Sequence, residues 1–382
     1  MFGLCFFIIW ISLYTWYLKE RSYAAATGGR SLRYDQKQYK RSYHELKEYF
    51  QDADPHKLDL DIFPDQEWRD ASGIIFGKSG NKLIKLDSDS EANIAVFGAP
   101  GSKKTSGVAI PSASRFKGSV LAVDIKGDLY NYNRYKRPIL RFCPDVNNPL
   151  RDSCHFNPFK GINKMTETER KIHIENMALV LIPDEGGSDG NYFTSRARKF
   201  FQGITHYLLY LNPNTTFPNV LHAILHPGKY ETLPRTPFQW VETITSSNCL
   251  AAKEQVASML GNNEKNISGT FDCLCTALIP FSNEILDVLL TGKGPCIDIE
   301  ALDDGYDCYL QIKQENLDAY APLFTLILQS LITGFTSRPD TSTGARNRPI
   351  LMLLDECPQL TFSFKQLNSS LSTLRSNLSY AC

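Results

Sequence analysis

Apolar positions along the chain fall into distinct patterns, and each predicts a different kind of element. The first is Phe2 to Leu18, seventeen residues without a charge. At helical rise this run reaches about 26 Å, slightly short of a ~30 Å hydrocarbon core. Trp16 and Tyr17 adjoin Lys19 and Arg21, the order that a headgroup interface prefers. Ala24-Ala25-Ala26 would suit a signal-peptide cleavage site, but cations follow the run and none precedes it, the reverse of a signal peptide. Apolarity on every side argues against a core helix. The pattern predicts a transmembrane anchor over residues 1–20, with the rest of the chain cytoplasmic by the positive-inside rule.

Residues 21–75 are polar and rich in Tyr, Lys, Arg and Glu, with helical character from Arg41 to Phe50, and read as a juxtamembrane linker. From Ile74 the apolar runs shorten to strand length. One is broken by a turn at Gly77 to Gly80; others are Asn93–Phe97, Ser119–Asp124 and Pro138–Phe142. Helical periodicity then takes over, in Glu167–Leu181, Phe193–Leu211 and Ala251–Leu260, punctuated by Asn212 and by prolines. Strand-like runs return at Cys296–Ile299 and Asp307–Ile312. A helix follows over Leu317–Phe335, then a loop over 337–348 and the most apolar strand, Ile350–Asp355. Short apolar strands alternating with helices predict an α/β fold with a parallel sheet. The sheet domain spans 76–164 and 291–382, interrupted by an all-α domain over 165–290.

Composition adds limits. The chain has 382 residues, 42% apolar and 21% charged, which excludes disordered, collagen-like and coiled-coil classes. Forty-one basic residues balance 41 acidic ones, so no overall charge pulls on nucleic acid, although a local basic surface stays open. A mean hydropathy of -0.26 excludes a polytopic membrane protein. The ten cysteines form no CxxC pair, and free thiols are expected. His222 and His226 are four apart, but without the Glu of HExxH and a third ligand they read as ordinary helix surface.

The chemistry concentrates after the strand ending at Phe97. Gly98-Ala99-Pro100-Gly101-Ser102-Lys103-Lys104-Thr105-Ser106 runs from strand to helix through a glycine-bearing turn, the arrangement of a P-loop. Backbone N–H groups there would face phosphates, Lys104 would reach the β- and γ-phosphates of ATP, and Thr105 would place its hydroxyl on Mg2+. The strict GxxxxGK[ST] pattern fails at one place: its second glycine is Lys103, whose side chain and charge crowd the turn. An ordinary helix start with an incidental Lys-Thr is the alternative. The strand Ile350–Leu354 ends in Asp355-Glu356, where a Walker B pair would sit; Asp355 would hold Mg2+ and Glu356 would orient the attacking water. An acidic strand end without that role is the alternative.

Several segments together resemble the type IV secretion coupling proteins of the TraG/TraD kind. The stretch Gly98 to Pro111 looks like their P-loop segment, and Asp124-Ile125-Lys126-Gly127-Asp128 is similar to their "DxKGE" step with Asp for Glu. Phe156-Asn157-Pro158-Phe159 resembles "NPF/NPL". Asn191-Tyr192-Phe193 with Ala197-Arg198 resembles the start of the helical-domain motif. Leu353-Leu354-Asp355-Glu356-Cys357-Pro358 resembles the Walker B segment, and Ser372-Thr373-Leu374-Arg375-Ser376 the "ATxRS" stretch. The resemblance implies a RecA-like, inner-membrane-anchored ATPase, hexameric when intact, that moves single-stranded DNA with its attached relaxase into a secretion channel. Arg375 would approach a neighbouring subunit's nucleotide, or else be a solvated helix arginine. Leu378 to Cys382 looks like the start of a further core strand, so the chain reads as cut short at its C-terminus. Lys103 and that end keep open a receptor that binds nucleotide without hydrolysing it, or a degenerate copy. An FtsK- or HerA-like DNA translocase is a third reading.

Overall fold

The computed structural model describes residues 51–53, 73–79, 82–86, 93–94, 96, 104–145, 147–148, 152–184, 188–336, 338, 347–354 and 379–381. The predicted anchor over 1–20 lies outside them. Two compact units divide the chain, one over Met1–Ala71 with Ile75–Asp87 and one over Ser72–Ile74 with Ser88–Cys382. Among the described residues, β1 (Gln51–Ala53), β2 (Ile74–Ser79) and β3 (Lys82–Leu86) form a sheet in the order β1-β3-β2, with β1 antiparallel to β3. Strand β1 falls within the stretch read as linker, where three residues are too few to show a period.

The larger unit is built on a six-stranded sheet. Its strands are β4 (Asn93–Ile94), β5 (Ser119–Val123), β6 (Ile139–Phe142), β7 (Asp307–Leu310), β8 (Ile350–Leu354) and β9 (Ser379–Ala381), in the order β4-β9-β8-β5-β7-β6. Every pairing is parallel. Strands β5, β7 and β8 are buried along their whole length, which is why they read as unbroken apolar runs rather than alternating ones.

Helices α1 (Ile110–Arg115) and α2 (Asp128–Asn133) connect the first sheet strands. Between β6 and β7 the described α-helices are α3 (Glu167–Leu181), α4 (Ser188–Leu211), α5 (Phe217–Leu225), α6 (Pro237–Ser246), α7 (Leu250–Val256), α8 (Glu264–Leu278), α9 (Glu284–Leu289) and α10 (Ile299–Asp303). Their starts are locally coded. Thr166 and Glu169 cap α3 reciprocally, Thr236 and Gln239 cap α6, and Asn263 and Asn283 cap α8 and α9.

Cys296–Ile299 is not a strand. A single parallel bridge joins Cys296 to His155, and Asp298 then accepts the Ala301 N–H at 2.8 Å and opens α10. The capping aspartate wins because extended pairing there has one partner residue. Helix α11 (Leu317–Thr336) follows β7. Gln314–Phe335 is long and apolar enough to cross a membrane, but Leu323, Phe324, Ile327, Leu328 and Leu331 are buried in the core. One continuous apolar cluster joins sheet and helices, with Phe142 edge-on to Phe324 and Phe159 edge-on to Phe217.

The amino edge of the sheet is closed by a polar latch. Arg137 donates to both oxygens of Asp307, at 2.5 and 2.9 Å, and to the carbonyls of Phe116 and Gly118. Asp307 is fully buried and also accepts the Val120 N–H at 2.8 Å. Gly118 is required at this point, because a Cβ there would lie 1.8 Å from the Pro349 carbonyl oxygen. The His222–His226 pair is likewise not plain surface. His222 donates from Nε2 to Asp287 at 2.7 Å while Lys229 donates to its Nδ1, and His226 meets Ser282 at 3.0 Å. These contacts tie α5 to the α8–α9 segment. Among the described residues no cluster of His, Cys, Asp and Glu could hold a metal ion, and the described cysteines are free thiols.

Candidate functional site

The strand register aligns the carboxyl ends of the described strands that precede the predicted chemistry in sequence. Ile94 of β4 is level with Ala381 of β9, and Ala381 with Leu353 of β8. Leu354, which immediately precedes Asp355, is level with Val123, which immediately precedes Asp124. In open parallel sheets this edge is where ligands bind. Gly98, Ala99, Pro100, Gly101, Ser102, Lys103, Asp355, Glu356 and Arg375 lie outside the described residues. Lys104, Thr105 and Ser106 lie within them.

Lys104 stands at the head of a helical segment that begins as a π-turn over Thr105–Ala109 and continues into α1. Pro111 accounts for the wide turn. It has no N–H to offer the carbonyl one turn back, and its ring would crowd that carbonyl in a regular α-helix. The first turn carries no acidic residue, unlike those of α2, α3, α8, α9, α10 and α11. Its positive dipole end therefore stays available to an anion. A Cβ at Gly107 would meet no atom within 4 Å. Lys104 and Thr105 are half-buried and Ser106 is exposed. The residues present fit a phosphate-bearing ligand.

Asp124 carries more of this edge than its sequence position showed. It is buried, and its carboxylate accepts the Tyr130 N–H at 2.8 Å, capping α2 from the end of β5. Gly127 makes the turn between them with φ +79, and a Cβ there would lie 2.2 Å from Gln311 Nε2, so the position favours glycine twice over. Burial pushes the Asp124 carboxyl up to about 6, against the N–H groups of Tyr130 and Leu129 that pull it down. The folded state thus holds its proton more tightly than the unfolded chain. The corresponding stability is fully present below about pH 4 and is lost as pH rises through about 6. Asp124→Asn removes this swing. In urea unfolding, the stability of the wild type relative to the variant is expected to fall by on the order of 2 kcal/mol between about pH 4.5 and about pH 7. A pH-independent difference would show that burial is not what sets this group.

Of the other family-like segments, Phe156-Asn157-Pro158-Phe159 joins sheet to helices. Phe156 and Phe159 are buried, Asn157 Oδ1 accepts the Phe159 N–H at 3.0 Å, and His173 meets the Pro158 carbonyl at 2.8 Å. Arg198 donates to the Ile182 carbonyl at 2.8 Å and pairs with Asp184 at 2.9 Å, bracing α4 against the end of α3. These roles are structural.

A parallel α/β sheet whose first strand is followed in sequence by a Lys-Thr helix start, and whose buried β8 is followed by Asp-Glu, is a RecA-like class of fold. The sequence model of the type IV secretory system conjugative DNA transfer family matches residues 38–376, and the chain belongs to that family. It is similar to Protein VirD4 of Agrobacterium fabrum, 24% identical over 305 residues that make up 77% of this chain and 44% of the relative. VirD4 of Rhizobium rhizogenes is likewise 24% identical, over 77% of this chain and 43% of its own. The chain thus spans less than half the length of these curated relatives. Among solved structures, the conjugative coupling protein TrwBdeltaN70 in its unbound form aligns with a TM-score of 0.54 at 14% identity, covering 80% of this chain and 65% of TrwB. TrwB with the non-hydrolysable ATP analogue ADPNP aligns at 0.54 and 15%, over 77% and 64%. TrwB with ADP and Mg2+ aligns at 0.52 and 14%, over 80% and 66%.

Proposed function

We propose that the chain is the motor portion of an inner-membrane ATPase that couples a DNA–relaxase substrate to a type IV secretion channel in conjugative transfer. The observation that carries this reading is one parallel sheet in which β4 leads to Lys104-Thr105 and β8 leads to Asp355-Glu356. Binding of ATP analogue and of ADP with Mg2+ by TrwB supports ATP and Mg2+ as the ligands here. Lys104 and the N–H groups from Gly98 to Ser106 would hold the phosphates, Thr105 and Asp355 would hold Mg2+, and Glu356 would orient water. Bound there, Mg2+ would supply neutralising charge to the phosphates. Arg375 would act across a subunit boundary in a hexamer. The helical stretch 165–290 would be the all-α domain that meets the substrate, and residues 1–20 the membrane anchor.

The purified chain is expected to hydrolyse Mg-ATP, faster when single-stranded DNA is added. Failure to bind a fluorescent ATP analogue at all would overturn the reading. Lys103 favours a second reading, a receptor that binds nucleotide without turnover. Lys103→Gly is expected to raise turnover by about tenfold, the effect of relieving roughly 1.4 kcal/mol at the turn. Wild-type binding with no hydrolysis in either form would favour the receptor.

A further inference from the structure

The chain is neutral overall, but its charge is unevenly spread. Between residues 115 and 141 seven Lys or Arg stand against two carboxylates. Asp124 is buried as the cap of α2, Asp128 opens that helix at its far end, and Arg137 is engaged in the latch. Lys126 lies in the turn after β5, and Arg141 is engaged with Asn148 and the Tyr130 ring. Arg115, Lys117, Arg134 and Lys136 gather where α1 ends and α2 turns into β6, at the amino edge of the sheet, opposite the Lys104 turn. Here cations and tyrosines interleave. The Lys136 ammonium sits 3.5 Å from the centroid of the Tyr132 ring, and the Arg134 guanidinium 4.7 Å from that of Tyr135. Arg115 lies close enough to perturb both Tyr132 and Lys136. Tyr135 is 84% exposed. Arg134 covers one face of its ring, and the other face is open to solvent.

We propose that Arg115, Tyr132, Arg134, Tyr135 and Lys136 form a binding surface for single-stranded DNA, with phosphates on the cations and one base stacked on the open face of Tyr135. The proposal rests on the reading of the chain as a DNA-transfer protein and assigns that reading a contact surface. A planar ring standing in solvent beside positive charge accepts an unstacked base, which a duplex does not present. An anionic membrane calls for different chemistry. Surfaces that lie on lipid bury bulky aliphatic or Trp side chains between their cations, and Tyr135 is the single large apolar side chain exposed among the described residues of this loop. The electrostatics agree. Burial and the neighbouring Arg115 charge both lower the Lys136 ammonium, and a phosphate bound between them would relieve that repulsion.

Fluorescence anisotropy with a labelled oligothymidylate of ~30 nucleotides tests this on the full chain. Tyr135→Ala is expected to bind about tenfold more weakly, and Tyr135→Phe, which keeps the stacking ring, as the wild type does. Arg134→Glu with Lys136→Glu is expected to reduce the slope of log affinity against log salt by about 1.4, from ~0.7 for each lost phosphate contact. If all variants bind the oligonucleotide like the wild type, the surface is misassigned while the proposed function stands. If the wild type binds no oligonucleotide, both fall. Loss of sedimentation with phosphatidylglycerol vesicles, with oligonucleotide binding intact, would overturn the assignment in favour of lipid.

Discussion

Lys104→Ala is expected to lower ATP turnover by about 10²–10³-fold at saturating nucleotide, the usual cost of removing one transition-state donor. Lys104 heads a helical segment with no carboxylate in its first turn, so in the proposed site its ammonium would work alongside the helix dipole. Lys103 is adjacent and could be imagined to take over. The two differ in position: Lys103 falls where the P-loop pattern has a glycine, and Lys104 where the pattern has the lysine that would reach the β- and γ-phosphates. Lys103→Ala should therefore retain or raise activity while Lys104→Ala loses it. Steady-state hydrolysis of the two variants side by side decides the matter. Equal losses, or less than about threefold loss in Lys104→Ala, would mean that the phosphates are held elsewhere.

Arg137→Ala is expected to cost roughly 3–5 kcal/mol of stability, read as a lower urea midpoint with catalysis unaffected in the fraction that remains folded. The cost comes from the partner left behind. Asp307 is fully buried, and without the guanidinium it would keep one backbone N–H, that of Val120, at 2.8 Å. The carbonyls of Phe116 and Gly118 lose their donor as well. Replacing Asp307 and Arg137 together by Leu and Met should cost clearly less than the single change, because no charge is then stranded. A single-site loss below about 1 kcal/mol would place the latch among ordinary surface pairs.

Much of this was legible in the chain, for identifiable reasons. Strands β5 and β8 announce themselves because central parallel strands are apolar on both faces. Helix α3 announces itself through Thr166 and Glu169, three residues apart. The Lys104-Thr105 turn is local, and so is its wording. Cys296–Ile299 misled because apolar alternation over four residues cannot distinguish a strand from a bridge followed by a capped helix. The latch had no signal at all, since Arg137 and Asp307 are 170 residues apart and neither belongs to a periodic pattern. His222 looked superficial because its partner Asp287 lies on another helix. The basic–aromatic surface was countable, as seven cations against two acids, but only the fold shows which of them lie together at one edge of the sheet.

Strand β4 joins the sheet through β9 and through no other described strand, and β9 lies about three quarters of the chain length away in sequence. During synthesis, therefore, β4 lacks its described partner strand until residues 379–381 have left the ribosome. The helical bundle and the β5–β7–β6 ladder can assemble well before then. Loop-closure entropy and high contact order make that last docking the slow step. A nascent chain would pass through a stage in which the helices and the β5–β7–β6 ladder are folded while β4 is still unpaired, and the nucleotide site proposed above would be completed as a late and separate event.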